Sequence, residues 1–543
     1  MSTFQSKVSK AADTFEQNRS DMLALVDKLR DLETRAETKS QKRRPRFEER
    51  GQLTPRERLK RLLDPGMPFL SLYNMANYLV DDPDQETSIP GGSLLSGIGF
   101  VEGVRCVVVA DDSGINAGAM QTMSGPKIMS ALDFSLNHNM PFVHLVESAG
   151  ADLMKYQVEG WAHGGGMFYK LALASAQGVP TFVVLHGPST AGGAYMPGMS
   201  DYVIGVKNNG MAALAGAALV QAATGEIANE RELGGTEMHS TTTGLIEYLA
   251  EDDAHGILIC RDLVSRLNWN DRCPPFPIKK VAPPVLDPED IAGVVPVDYR
   301  KSYDVREVIG RVVDASDFVE FKPRFGAATV CVQAHIFGHA VGLIGNNGPL
   351  DPDGAAKATH FFQLCDQSEM PIIFLNNITG YMVGTEYERA GMIKLGSKMI
   401  QATSNVRVPK LALYIGASFG AGNYGMCGLA YQPDFLFAWP NASTGVMGGE
   451  QAAITMDIVA RAGAKRRGIE ITDEMEAMFA AQKQAIIDHF EPQSDPFYTS
   501  GRMLDHGIID PRDTRKVLGF ALETCWEGRH RSVQPNSFGV ARI

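Results

Sequence analysis

Short runs of β-branched and aromatic residues recur along the chain, closed by Gly or Asn and followed by helical patterns. "PTFVVLH" (180–186) is one such run, and "GPSTAGGAYMPG" (187–198) stands directly behind it. "SGPKIMSALDFSLNHN" and "DGAAKATHFFQLCDQ" are two of the helical stretches. Strands alternating with helices predict α/β domains with ligands at the strand ends. Residues 1–50 differ: they are charged and read as a helical N-terminal arm.

The pattern is written twice. "RERLKRLLD" (56–64) matches "VREVIGRVVD" (305–314), setting Glu57 on Glu307, Arg61 on Arg311 and Asp64 on Asp314. "VEGVRCVVVADDSG" (101–114) matches "IFGHAVGLIGNNG" (336–348), with Gly103 on Gly338. "PFVHLVESAG" (141–150) matches "PIIFLNNITG" (371–380), and "VPTFVVLHGPSTAGGAY" (179–195) matches "VPKLALYIGASFGAGNY" (408–424). The offsets are 250, 235, 230 and about 229, in constant order. Four colinear matches define two copies of one domain. The Pro-rich segment 273–290 is the expected linker, which gives an arm (1–50), an N-terminal domain (51–290) and a C-terminal domain (291–543).

Aligning Pro180 with Pro409 sets Gly192 opposite Ala421 and Gly193 opposite Gly422. Both copies thus carry two small residues just past a buried strand, where a helix should begin. Backbone N–H groups there point outward, unpaired within the helix and aided by its dipole. Two such amides converging on one point make an oxyanion hole. The alternative is that these glycines only permit tight strand-to-helix packing.

Side chains offer less. Glu147, Asp152 and Glu226 are acids without a partner at a telling spacing, and each reads as a cap or surface ion pair. His144, His163, His239 and His360 share no metal-ligand spacing, and Ser189 is not in a G-x-S-x-G elbow. A P-loop and a Met-Lys-Met biotinylation tripeptide are both missing from the sequence.

Composition narrows the class. Hydrophobic content of 44% and charged content of 21% suit an ordinary globular protein. Glycine, at 55 of 543 residues, is frequent, and it falls in pairs after apolar runs rather than in a linker. A net charge of −12 argues against a nucleic-acid partner despite the basic "KSQKRRPR" in the arm. The seven cysteines form no C-x-x-C pair, so buried free thiols are expected rather than a zinc ribbon or disulfide framework. No apolar run reaches 18 residues and no signal peptide is evident, so a cytoplasmic or organelle-matrix location with no membrane association is expected.

"STAGGAYMPGMSD", "AATGEIANERELGG", "NNGPLDPDGAAKATHFFQLCD", "NITGYMVG", "SFGAGNYGMCGLAYQPDFLFAWPNA" and "VMGGEQAA" together resemble the carboxyltransferase (β) subunits of biotin-dependent acyl-CoA carboxylases. The resemblance runs from about residue 20 to the C-terminal "FGVARI", and is greatest to the methylcrotonyl-CoA and geranyl-CoA carboxylase branch. It implies two tandem crotonase-like (ClpP/crotonase superfamily) α/β domains, the first binding acyl-CoA and the second biotin, with the active site between opposing copies in a dimer. It implies that Gly192 and Gly193 hold the thioester enolate oxygen, and that Ala421 and Gly422 hold the ureido oxygen of biotin. Biotin would arrive as carboxybiotin on a biotin carboxylase/biotin carrier (α) subunit, and the chain itself would form a β hexamer. Backbone amides suffice for two oxyanions, so no metal or general base is expected.

One segment departs from the methylcrotonyl pattern. Where that branch reads T-I-F-L-G-G-P-P-L-V, this chain reads "MAALAGAALV" (211–220), so Ala213 replaces Phe while Ala217 and Ala218 replace prolines. With Ala212, these residues are the candidate acyl pocket, and its enlargement implies a substrate longer than methylcrotonyl, such as geranyl-CoA. The other readings are methylcrotonyl-CoA or another acyl-CoA as substrate, a biotin-dependent decarboxylase subunit, or a non-enzymatic scaffold.

Overall fold

The apolar runs become strands buried on both faces, as parallel strands covered by helices must be. The computed structural model describes residues 3–152, 157–277 and 281–541; part of the Pro-rich segment 273–290 falls outside these. In the first half the strands are β1 (Leu70–Ser71), β2 (Leu94–Val101), β3 (Val104–Asp111), β4 (Phe142–Ser148), β5 (Thr181–Thr190), β6 (Tyr202–Val206), β7 (Met211–Ala213) and β8 (Tyr248–Ala250). They lie in the order β1-β2-β3-β4-β5-β6-β8, with β7 paired to the far end of β5. In the second half they are β9 (Phe318–Glu320), β10 (Thr329–Ile336), β11 (His339–Asn346), β12 (Ile372–Ile378), β13 (Lys410–Phe419), β14 (Phe435–Ala438) and β15 (Ser443–Gly445). Their order is β9-β10-β11-β12-β13-β14, with β15 paired to the far end of β13.

The two sheets repeat one another in detail. β2–β3 and β10–β11 are antiparallel hairpins, and the strands that follow are parallel. The pairing shifts register at Val146/Ser148 in one sheet and at the matching Asn376/Ile378 in the other. Each hairpin turn is left-handed, at Glu102 and Gly103 and at Phe337 and Gly338. Each is clamped by the aspartate the repeat aligns. Asp64 accepts from the Glu102 and Gly103 amides at 3.0 and 2.7 Å, and Asp314 from those of Phe337 and Gly338 at 3.0 and 2.9 Å. A carboxylate spanning two adjacent amides suits such a turn because both N–H groups point the same way.

Helices Ser124–His138 and Pro352–Gln367 occupy matching places, and each buries a lysine, Lys127 and Lys357. The charged N-terminal segment contains the helix Asp13–Gln41. By contact the chain divides into two compact units. One comprises Met1–Leu29, Ile278–Ser500 and Leu504–Leu522; the other comprises Arg30–Pro277, Gly501–Met503 and Glu523–Ile543. Each holds one sheet. All seven cysteines are free and six are buried, leaving Cys273 partly exposed. Among the described residues, no helix is long and apolar enough to cross a membrane.

Candidate active site

Both aligned turns follow a long buried strand. β5 ends at Thr190; Ala191 then takes φ +55° and opens the helical turn Ala191–Ala194. β13 ends at Phe419; Gly420 takes φ +57° and opens the helix Gly420–Gly425. The left-handed residue swings the chain from strand to helix and leaves the next amides at a helix start, where N–H groups lack intrahelical acceptors. Gly192 and Gly193 stand there in the first copy, Ala421 and Gly422 in the second.

A second loop accompanies each turn. After β4, Gly150 (φ +83°) accepts from the Met120 amide at 2.9 Å; after β12, Gly380 (φ +131°) accepts from the Leu350 amide at 3.1 Å. The surroundings differ. Gly192 is exposed, and a Cβ there would meet only the Phe168 ring, at 3.8 Å. Gly422 is buried, and a Cβ there would come within 2.9 Å of Ile378 Cγ1 and 3.0 Å of Gly380 Cα, while Ala421 beside it is exposed. The Cβ side of Gly422 is thus filled by the protein itself, whereas that of Gly192 is open.

The MAALAGAALV segment forms β7 and, from Ala217, the helix Ala217–Thr224. In register, Ser189 pairs with Ala212 and Thr190 with Ala213, which sets Ala213 beside the residue that precedes the first turn. Ala212 is buried in an apolar cluster with Val146, Val183, Leu185, Val203 and Ile246. Ala213 is half-buried over Gly234, where an added Cβ would lie 2.9 Å from its own. Ala217 is half-buried and Ala218 exposed.

Behind the first turn lies a charged group that the sequence reading missed. Arg58 donates to Glu147 at 2.5 Å and to Asp253 at 2.8 Å, and His186 Nδ1 sits 2.8 Å from the other Asp253 oxygen. All four are buried. Glu147 is therefore no cap or surface ion pair, as the sequence had suggested. It lies against Gly187 so closely that a Cβ there has no room. Burial alone would raise the Asp253 carboxyl, but His186 and Arg58 hold it down to about 2. Burial lowers His186 despite Asp253. The sequence did carry a hint, because the repeat sets Glu147 opposite the neutral Asn377.

His144 meets Asp111 at 3.0 Å in the core, and His239 meets the Ala212 carbonyl at 2.8 Å. His360 faces Lys322 at 3.1 Å, and Glu226 is exposed. His239 thus reaches β7, the strand paired beside the first turn.

Two copies of one α/β domain each present, at a strand-to-helix turn, backbone amides without intrahelical acceptors, an arrangement able to hold an oxyanion. The sequence pattern of the Carboxyl transferase domain family matches residues 46–539. The probable biotin-dependent acyl-coenzyme A carboxylase beta2 subunit of Mycobacterium tuberculosis is 46% identical over 92% of each chain. The biotin-dependent 3-methylcrotonyl-coenzyme A carboxylase beta1 subunit of the same organism is 41% identical over 93% of this chain and 94% of that one. The crystal structure of the P. aeruginosa geranyl-CoA carboxylase beta subunit aligns over 100% of both chains, with a TM-score of 0.92 and 45% identity. The chain belongs to the carboxyl transferase family, as a β subunit of the biotin-dependent acyl-CoA carboxylases, with tandem crotonase-like domains. It is the carboxyltransferase component of such an enzyme.

Proposed function

We propose that this chain moves a carboxyl group from carboxybiotin to the γ-carbon of a branched 3-methyl-2-enoyl-CoA with a long acyl chain, geranyl-CoA or one similar. Gly192 and Gly193 receive the thioester oxygen, and their amides stabilise the charge that develops there as the γ-proton leaves. Ala421 and Gly422 receive the ureido oxygen. Neutral amide donors suit a neutral ureido carbonyl, and the exposed Ala421 gives access to them. When bound, carboxybiotin supplies the carboxyl group and a nitrogen that can accept the substrate proton. A biotin-bearing α subunit delivers it, and the β subunit works as a homo-oligomer, a hexamer by family resemblance.

The long-chain assignment rests on one observation: Ala213 is paired with Thr190, at the mouth of the first turn. By family resemblance this Ala stands where the methylcrotonyl branch has Phe, and so leaves room for a longer acyl chain. The likeness to a geranyl-CoA carboxylase β subunit over the whole chain supports the same reading. Ala213→Phe tests it. Overpacking typically costs about 1–3 kcal/mol, which is roughly fivefold to a hundredfold in kcat/KM. The loss should fall on geranyl-CoA and spare methylcrotonyl-CoA when both are assayed with the same biotin-bearing partner. Equal loss of both substrates would make Ala213 a packing residue, and a wild-type preference for methylcrotonyl-CoA would overturn the long-chain assignment.

A further inference from the structure

The two turns share a backbone path but not their supports. Asn423 follows Gly422 directly, and its Nδ2 donates to Ser418 Oγ at 2.8 Å and to Tyr414 OH at 3.1 Å, both on β13. Ser418 Oγ donates to Asn376 Oδ1 on β12 at 3.2 Å, and Asn376 Nδ2 donates to the Met426 carbonyl at 3.0 Å. Tyr414 OH also accepts from the Leu429 amide at 3.4 Å. Thr403 Oγ1 donates to the Gly425 carbonyl at 2.9 Å. The helix Gly420–Gly425 is thus tied to two strands from its middle and from its end. Every member is neutral, since burial pushes the Tyr414 hydroxyl up to about 12.

Among the described residues, the first turn carries no counterpart of these side-chain bonds. By the repeat offsets, Asn423 falls on Ala194, Tyr414 on Leu185 and Asn376 on Val146; of the four, only Ser418 keeps its identity, as Ser189. A methyl group at position 194 cannot tie the turn to its strand. The geometry points to Asn423 as a positioning residue: its side chain fixes the rotation of the helix against β13, and so the direction of the Ala421 and Gly422 amides. The second turn is then preorganised for one small, invariant group, and the first can adjust to acyl chains. Preorganised donors stabilise charge without reorganising when it appears.

The inference rests on the assignment of this turn to the ureido oxygen, so its test reads biotin directly. Calorimetric binding of free biotin, methylcrotonyl-CoA and geranyl-CoA to the intact protein compares wild type, Asn423→Ala and Tyr414→Phe. Asn423→Ala should weaken free biotin by roughly tenfold, the scale of a side chain coupled into a shared hydrogen-bond network, and leave both acyl-CoA affinities within about twofold. Tyr414→Phe, which keeps the Ser418 tie, should weaken biotin by less and spare acyl-CoA, and it carries the test should Asn423→Ala fail to fold. Hydrogen exchange at 420–425 should quicken in Asn423→Ala, with exchange at 191–195 unchanged. Biotin and acyl-CoA weakened alike, or biotin unaffected in either variant, would overturn the inference. Ala421→Pro separates the two levels, because proline in a first helical turn deletes an amide donor without breaking an intrahelical bond. If Ala421→Pro leaves biotin binding intact, the ureido assignment itself falls, and the inference with it.

Discussion

A single residue separates the two turns most simply. Ala191 and Gly420 occupy the same left-handed position, at φ +55° and +57°. That conformation costs a residue with a side chain about 1–2 kcal/mol, whereas glycine loses about 0.4–1 kcal/mol through its freer unfolded chain. Ala191→Gly should therefore stabilise the protein slightly, by up to about 1 kcal/mol, as a higher denaturation midpoint with turnover retained. Gly420→Ala should do the reverse and lose more, because its Cβ would also press on the Val446 carbonyl at 3.1 Å. The glycine pairs looked equivalent in the sequence and are not. Gly192→Val has open space, so it should fold normally and cost a hundredfold or more in turnover, the scale of a lost oxyanion-hole donor. Gly422→Val would strike Ile378 and Gly380 and damage the fold as well. Near-normal turnover in a folded Gly192→Val would make the first turn a packing device.

At the scale of elements, the helix Asp253–Ser265 is anchored to β4 and β5 through Asp253, Arg58, Glu147 and His186. A carboxyl held lower in the folded chain than in the unfolded one stabilises fully above its unfolded value, near 4. That share is lost as pH falls toward about 2, where Asp253 protonates in place. Asp253→Asn should cost about 3–5 kcal/mol at neutral pH by leaving Arg58 and His186 short of a partner. It should also flatten the acid limb of stability between about pH 4 and 2. An unchanged acid limb in urea titrations would remove Asp253 from this role. The strands, the repeat and the place of both turns were legible in the sequence, because periodic burial and recurring glycines leave local marks. The buried network was not, because Arg58, Glu147 and Asp253 lie 89 and 195 positions apart and only the fold gathers them. Asn423 was visible in "GAGNYG", but its acceptors on β13 could be assigned only once strand and helix were seen in contact.

Across the whole molecule, duplication has kept the frame and freed the supports. Hairpin clamps, register shifts and left-handed turns recur, while a charged network stands behind one turn and a neutral one behind the other. The seven cysteines carry a consequence of a different kind. Cys106, Cys260 and Cys525 are buried in one unit and Cys331, Cys365 and Cys427 in the other, with only Cys273 partly exposed. Burial pushes the Cys260, Cys365 and Cys427 thiols up to about 12, so neither access nor thiolate character favours reaction while the chain stays folded. A thiol reagent should therefore find one slow target in the native protein and seven after unfolding. Because the sheltered sulfurs divide three and three, mass spectrometry of partly labelled chains can time the opening of each half separately. The molecule carries its own stopwatch for which copy of the ancestral domain gives way first.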